Sequence, residues 1–82
     1  MTPNEHMMLS EIKSACDDEI SRGNSGFVRS FHLGGTPEQR APRVKHSLMA
    51  LGFIEGVKHN NYNKQGQWVW RITEAGRAAL AP

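Results

Sequence analysis

The sequence predicts an α+β domain, mainly helical, with three helices, a two-stranded β-hairpin and a short C-terminal helix. Three observations carry that reading. Residues 2–22 combine a helix-start signature with apolar residues at helical spacing. Residues 42–52 run from a proline through a second apolar stripe to a glycine stop. Residues 67–72 alternate large apolar and other side chains behind a long polar loop, the pattern of a returning strand. With 82 residues, 38% hydrophobic and 22% charged, the chain suits one small folded domain and leaves little room for an enclosed catalytic cleft.

In the first helix, about residues 3–22, Thr2-Pro3-Asn4-Glu5 has the spacing of a capping box, and proline suits the first helical position because its missing amide proton is not needed there. Met8 or Leu9, Ile12, Ala15 with Cys16, and Ile20 form the buried stripe, and Gly23-Asn24 ends it. Cys16 lies on that stripe and reads as a small core residue. A single cysteine allows no internal disulfide and no cysteine-pair zinc site, which fits a reducing compartment.

The segment SGFVRSFHLGG fits a short helix better than a strand, because a helix buries Phe27, Val28 and Phe31 without burying Arg29. Thr36-Pro37-Glu38-Gln39 resembles a further helix start, but Pro42 would break its interior. The resolution is one helical turn at 37–40 and a new helix from Pro42. In that helix Val44, Leu48 and Leu51 face inward with Ser47 beside them; Arg43, His46 and Ala50 face outward, flanked by Lys45. A basic face with small residues suits a nucleic-acid groove, with Arg43 able to reach phosphate or guanine.

Gly52 supplies the left-handed helix end, and Phe53-Ile54 turn back into the core. Phe53 to His59 and Gln67 to Ile72 are the hairpin strands, joined by a projecting polar loop. Trp68, Trp70 and Ile72 share the core face, with Trp68 only half covered; Val69 and Arg71 point away. Thr73 caps the last helix, about residues 74–80, and Gly76 permits close packing.

Together the helix RVKHSLMALGFIEG, the polar-tipped hairpin and the closing WRITEAGRAAL resemble winged helix-turn-helix domains of bacterial and phage regulators. The resemblance covers about residues 25–80, with a helix-turn-helix over about 25–51 and a wing over about 53–72. It implies that Val44, Leu48, Leu51, Phe53, Ile54, Trp70 and Ile72 are core. It makes Arg43, Lys45 and His46 recognition-helix contacts, Arg40 a phosphate clamp, and Lys58, His59, Asn61, Lys64 and Gln65 the wing. Double-stranded DNA is the implied partner, with the helix in the major groove and the wing on the backbone or minor groove. Met49 and Ala50 stand where base-reading polar residues could have been, which argues against strong sequence specificity.

The net charge of +2 is uneven: residues 1–35 carry three basic and five acidic groups, residues 36–82 seven basic and three acidic. The basic half is where a polyanion would dock, although on charge alone a solvated face is the preferred reading. His6, His32, His46 and His59 have no metal-ligand spacing, Asp17-Asp18-Glu19 reads as a solvated helix end, and no serine has a nucleophile setting. The expectation is therefore a DNA-binding regulator or accessory protein, not an enzyme, with no cofactor and no metal. No membrane-length apolar run and no signal-peptide pattern occur, predicting a soluble cytoplasmic protein. Pairing through exposed parts of the first helix would give a homodimer. The alternative is a protein-interaction module or inhibitor from a mobile element, gripping a partner through the wing or the acidic first helix.

Overall fold

The computed structural model describes residues 1–29, 33–59 and 67–81. Its elements run α1 (Pro3–Ser21), β1 (Val28–Arg29), α2 (Pro42–Ala50), β2 (Ile54–His59), β3 (Gln67–Ile72) and α3 (Glu74–Leu80). Three helices thus combine with a three-stranded antiparallel sheet in the order β1-β3-β2. None of the described helices is long and apolar enough to cross a membrane.

The capping box at α1 forms as its spacing predicts. Thr2 donates its amide to Glu5 Oε1 at 2.6 Å, and the Glu5 amide donates to Thr2 Oγ1 at 3.2 Å, so two groups with no partner inside the helix are satisfied reciprocally. The buried stripe is Met8, Leu9, Ile12 and Cys16, all fully covered. Ile20 departs from expectation at 50% exposure. Arg77 of α3 donates to Asp17 of α1 at 2.8 Å, tying the last helix to the first. The guanidinium holds the Asp17 carboxyl below its ordinary range.

The segment after α1 corrects the helical expectation over residues 25–29; Phe31, expected on the same helix, lies outside the described residues. Val28 and Arg29 are extended and pair with Trp70 and Val69 of β3. The physical reason is non-local: β3 has two edges, β2 occupies one, and β1 satisfies backbone groups on the other while burying Val28 completely. Arg29 stays exposed, as the helical reading also required. The sheet therefore has three strands rather than a two-stranded hairpin alone.

At 37–40 the expected single helical turn is present. Gln39 donates its amide to Thr36 Oγ1 at 3.2 Å and Arg40 to the Thr36 carbonyl at 3.0 Å. Pro42 then opens α2 at a position where no amide proton is needed. Gly52 takes φ +78°, and Phe53 donates to the Leu48 carbonyl at 3.0 Å, closing α2 as the glycine predicts. Leu51 is a correction: expected in the core, it is 49% exposed because the helix ends at Ala50 and the chain turns away there.

β2 and β3 pair throughout from Ile54 with Ile72 to His59 with Gln67. The main core joins Met8, Leu9, Ile12, Cys16, Val28, Leu33, Val44, Leu48, Ile54, Trp70 and Ile72, and the half-buried Phe53 packs against it. Cys16 accepts the Ile72 amide at 3.4 Å, and burial pushes its thiol pKa up. Thr73 caps α3 by accepting the Gly76 amide at 3.0 Å while donating to the Gly52 carbonyl at 2.7 Å. A Cβ at Gly76 would stand 2.1 Å from the Phe53 carbonyl oxygen, so the helix packs at a distance only glycine allows.

Candidate nucleic-acid interface

The exposed side of α2 carries Arg43 and His46, with Ala50 one turn further on. Arg43 is 76% exposed and its guanidinium stands 3.9 Å from Glu38, a loose surface pair worth roughly 0 to 1 kcal/mol. Arg40, on the preceding turn, is also exposed and makes no ion pair among the described residues. Met49, expected on the outer face, is half-buried and packs against the core.

Lys45 lies elsewhere than expected. It is 4% exposed, with its ammonium donating to the Arg40 carbonyl at 3.2 Å and lying 5.8 Å from the Trp70 ring centroid. Burial, followed by the neighbouring Arg40 charge, lowers its pKa. One position on a short helix separates Arg43, Val44 and Lys45 by about 100° each, so a residue flanking the outer face turned inward once the hairpin closed over it. Its work is to hold the 37–40 turn against α2, with its stem filling space beside Trp70.

His46 meets the hairpin. Its ring centroid is 6.1 Å from Trp68 and 6.3 Å from Trp70, nearly perpendicular to both. The two indoles stack at 5.4 Å with 14° between their planes. Trp70 is buried, and it fits over β2 because Gly56 has no side chain: a Cβ there would stand 2.8 Å from Trp70 Cζ3. Among the described residues the buried Trp70 Nε1 has no hydrogen-bond partner, which costs stability and marks this ring as positioned by packing. Lys58 is exposed on β2 directly across from Trp68 and forms no ion pair among the described residues.

These contacts bring His46, Trp68 and Lys58 together from α2, β3 and β2. Arg40 and Arg43 stand at the N-terminal end of α2. His59 is placed by its backbone, opposite Gln67 at the end of the paired strands. Asn61, Lys64 and Gln65 lie outside the described residues. Several other basic groups are paired locally: Lys13 and Arg77 share Asp17, Arg22 pairs with Asp18, and Arg71 with Glu55. Arg71 also lies over the Phe27 ring at 4.4 Å.

A shallow depression of about 310 Å³ separates the starts of α1 and α2, lined by Thr2, Asn4, Glu5, Arg43, Val44 and Ser47. Ser47 donates to the Glu5 carboxylate there, which holds the Glu5 pKa below its usual value. Sequence reading missed both the Glu5–Ser47 bridge and the clustering of His46 with the tryptophans, since neither follows from local spacing. The half-covered position expected for Trp68 was the one available sign.

Comparison with known proteins returns no matching family model, curated protein or solved structure.

Proposed function

We propose that the protein binds double-stranded DNA as a small winged helix-turn-helix regulator or accessory protein, with α2 in the major groove and the β2–β3 hairpin as the wing. The observation that carries this reading is the juxtaposition of α2 and the hairpin through His46 and Trp68, which sets His46 of the helix near Lys58 of β2, with Arg43 one turn earlier on the exposed side of α2. Arg40 and Lys58 are without ion pairs among the described residues, and Arg43 has only its loose contact with Glu38. Such cations gain most from phosphate, since little is lost in leaving their present partners. The element order also supports it: α1, β1, a single turn, α2, then a hairpin whose second strand is central in the sheet. In this reading the turn at Thr36–Arg40 takes the place of the positioning helix. Lys45 is left out of the interface because its ammonium is buried.

The test is fluorescence anisotropy of labelled duplex DNA at several salt concentrations. Three phosphate contacts predict a log-log slope of about −2.7, and further contacts from the wing make it steeper. Competition by unrelated duplex then separates specific from general binding. A folded protein that does not bind duplex even at low salt would end the reading and assign the surface to a protein partner.

A further inference from the structure

Beyond duplex binding, the aromatic cluster has a geometry of its own. The three ring centroids of His46, Trp68 and Trp70 form a nearly equilateral triangle, with sides of 6.1, 6.3 and 5.4 Å. A ring covering the outer face of Trp68 would be much farther from Trp70 than from Trp68. Equal distances therefore put His46 against the side of the stacked pair, bridging both edges. One face of the Trp68 indole is taken by Trp70, and the other is not covered by His46; the residue is 37% exposed.

Trp70 is held by the core and by the gap at Gly56, so the indole stacked on it is held as well. A partly exposed indole fixed in this way loses little entropy when a flat ring settles on it. Lys58, across the strand pair from Trp68, supplies a positive charge within reach of the same place.

We propose that the outer face of Trp68 is a stacking surface for an unpaired nucleobase, with His46 as its side wall and Lys58 for the adjoining phosphate. The protein then takes single-stranded or locally unpaired DNA at the junction of α2 and the hairpin. The inference rests on the nucleic-acid reading above but not on groove engagement. A flat aromatic face beside a cation suits bases in general and does not discriminate among them, because every base has a π-face.

The test compares four labelled probes by anisotropy at low salt with the full chain: oligothymidine, an abasic oligomer of equal length, a blunt duplex, and that duplex with a central unpaired thymine. The abasic oligomer keeps the phosphates and removes the bases, so it isolates stacking without altering the protein. Oligothymidine is expected to bind about tenfold more tightly than the abasic oligomer, as one stacked base predicts, and to quench tryptophan fluorescence. The unpaired thymine should strengthen duplex binding. Trp68→Ala should abolish the difference between the two single strands, and Trp68→Phe should restore most of it. Equal binding of the thymine and abasic oligomers overturns the proposal, as does a folded Trp68→Ala protein that still distinguishes them. Blunt duplex bound without a thymine advantage sinks this inference alone. Oligothymidine preferred over the abasic strand without any duplex binding supports it and sinks the groove reading. Failure to bind any probe removes both.

Discussion

Ser47 of α2 donates its hydroxyl to the Glu5 carboxylate, 42 residues earlier in the chain. The same carboxylate accepts the Thr2 amide that opens α1, so one side chain caps the first helix and ties it to the helix proposed to read DNA. Ser47, then Thr2, hold the Glu5 pKa down, and Arg77 does the same for Asp17. Stability from a carboxylate depressed in the folded state is fully present above its unfolded value and is lost as pH falls through the folded one. For Glu5 the loss begins below its ordinary value of 4.5. Thermal melts across the acid range should show Tm falling there, and Glu5→Gln should lower Tm at neutral pH while flattening the acid limb. A Glu5→Gln protein with the acid limb of wild type would contradict the assignment. Asp17→Asn should cost under about 1 kcal/mol, since that pair is screened by solvent.

Gly76→Ala should be among the more damaging single-methyl additions in the chain. The new Cβ would meet the Phe53 carbonyl and the Ile72 side chain, and backbone cannot step aside as a flexible side chain can. Overpacking of this kind costs about 1 to 3 kcal/mol, readable in urea melts. An unchanged midpoint would mean that α3 can shift at no cost.

Arg43→Ala should leave Tm nearly unchanged, because the side chain is exposed and only loosely paired with Glu38. In duplex titrations it should weaken binding and reduce the magnitude of the salt slope by about 1 if Arg43 meets a phosphate. Loss of affinity across all sequences with that slope change indicates a phosphate contact; loss confined to one site sequence indicates base reading.

Lys45→Met should leave duplex affinity unchanged, because the ammonium is buried against the Arg40 carbonyl. Methionine keeps the stem that packs beside Trp70. A large loss of affinity with an intact melt would return Lys45 to the interface.

Leu48→Ala and Leu51→Ser separate two leucines that helical spacing treats alike. Leu48 is fully buried, so its truncation should cost about 2 to 5 kcal/mol. Leu51 is half exposed, and its substitution should stay within about 0.5 kcal/mol. Paired denaturant melts check both.

What could be read from residue order is whatever neighbouring residues decide among themselves. The capping box at Thr2, the turn at 37–40, the start of α2 at Pro42 and its end at Gly52, the strand alternation of Trp70 with Ile72, and the Thr73 cap all depend on spacings of a few positions. Backbone geometry and short-range hydrogen bonds set them. Tertiary structure decided the rest. Val28 became a strand residue because β3 had an open edge, Lys45 turned inward because Trp70 and the 37–40 turn enclosed it, and Leu51 stayed outside because the chain left the helix there. The candidate site is of this second kind: His46, Lys58 and Trp68 come from three elements, and no periodicity relates them. The sequence by itself settled the capped starts of α1 and α3, the proline start of α2 and the glycine stop after it; the packing of the elements decided the strand at Val28 and which faces water sees, because burial depends on the partner surface rather than on the segment alone.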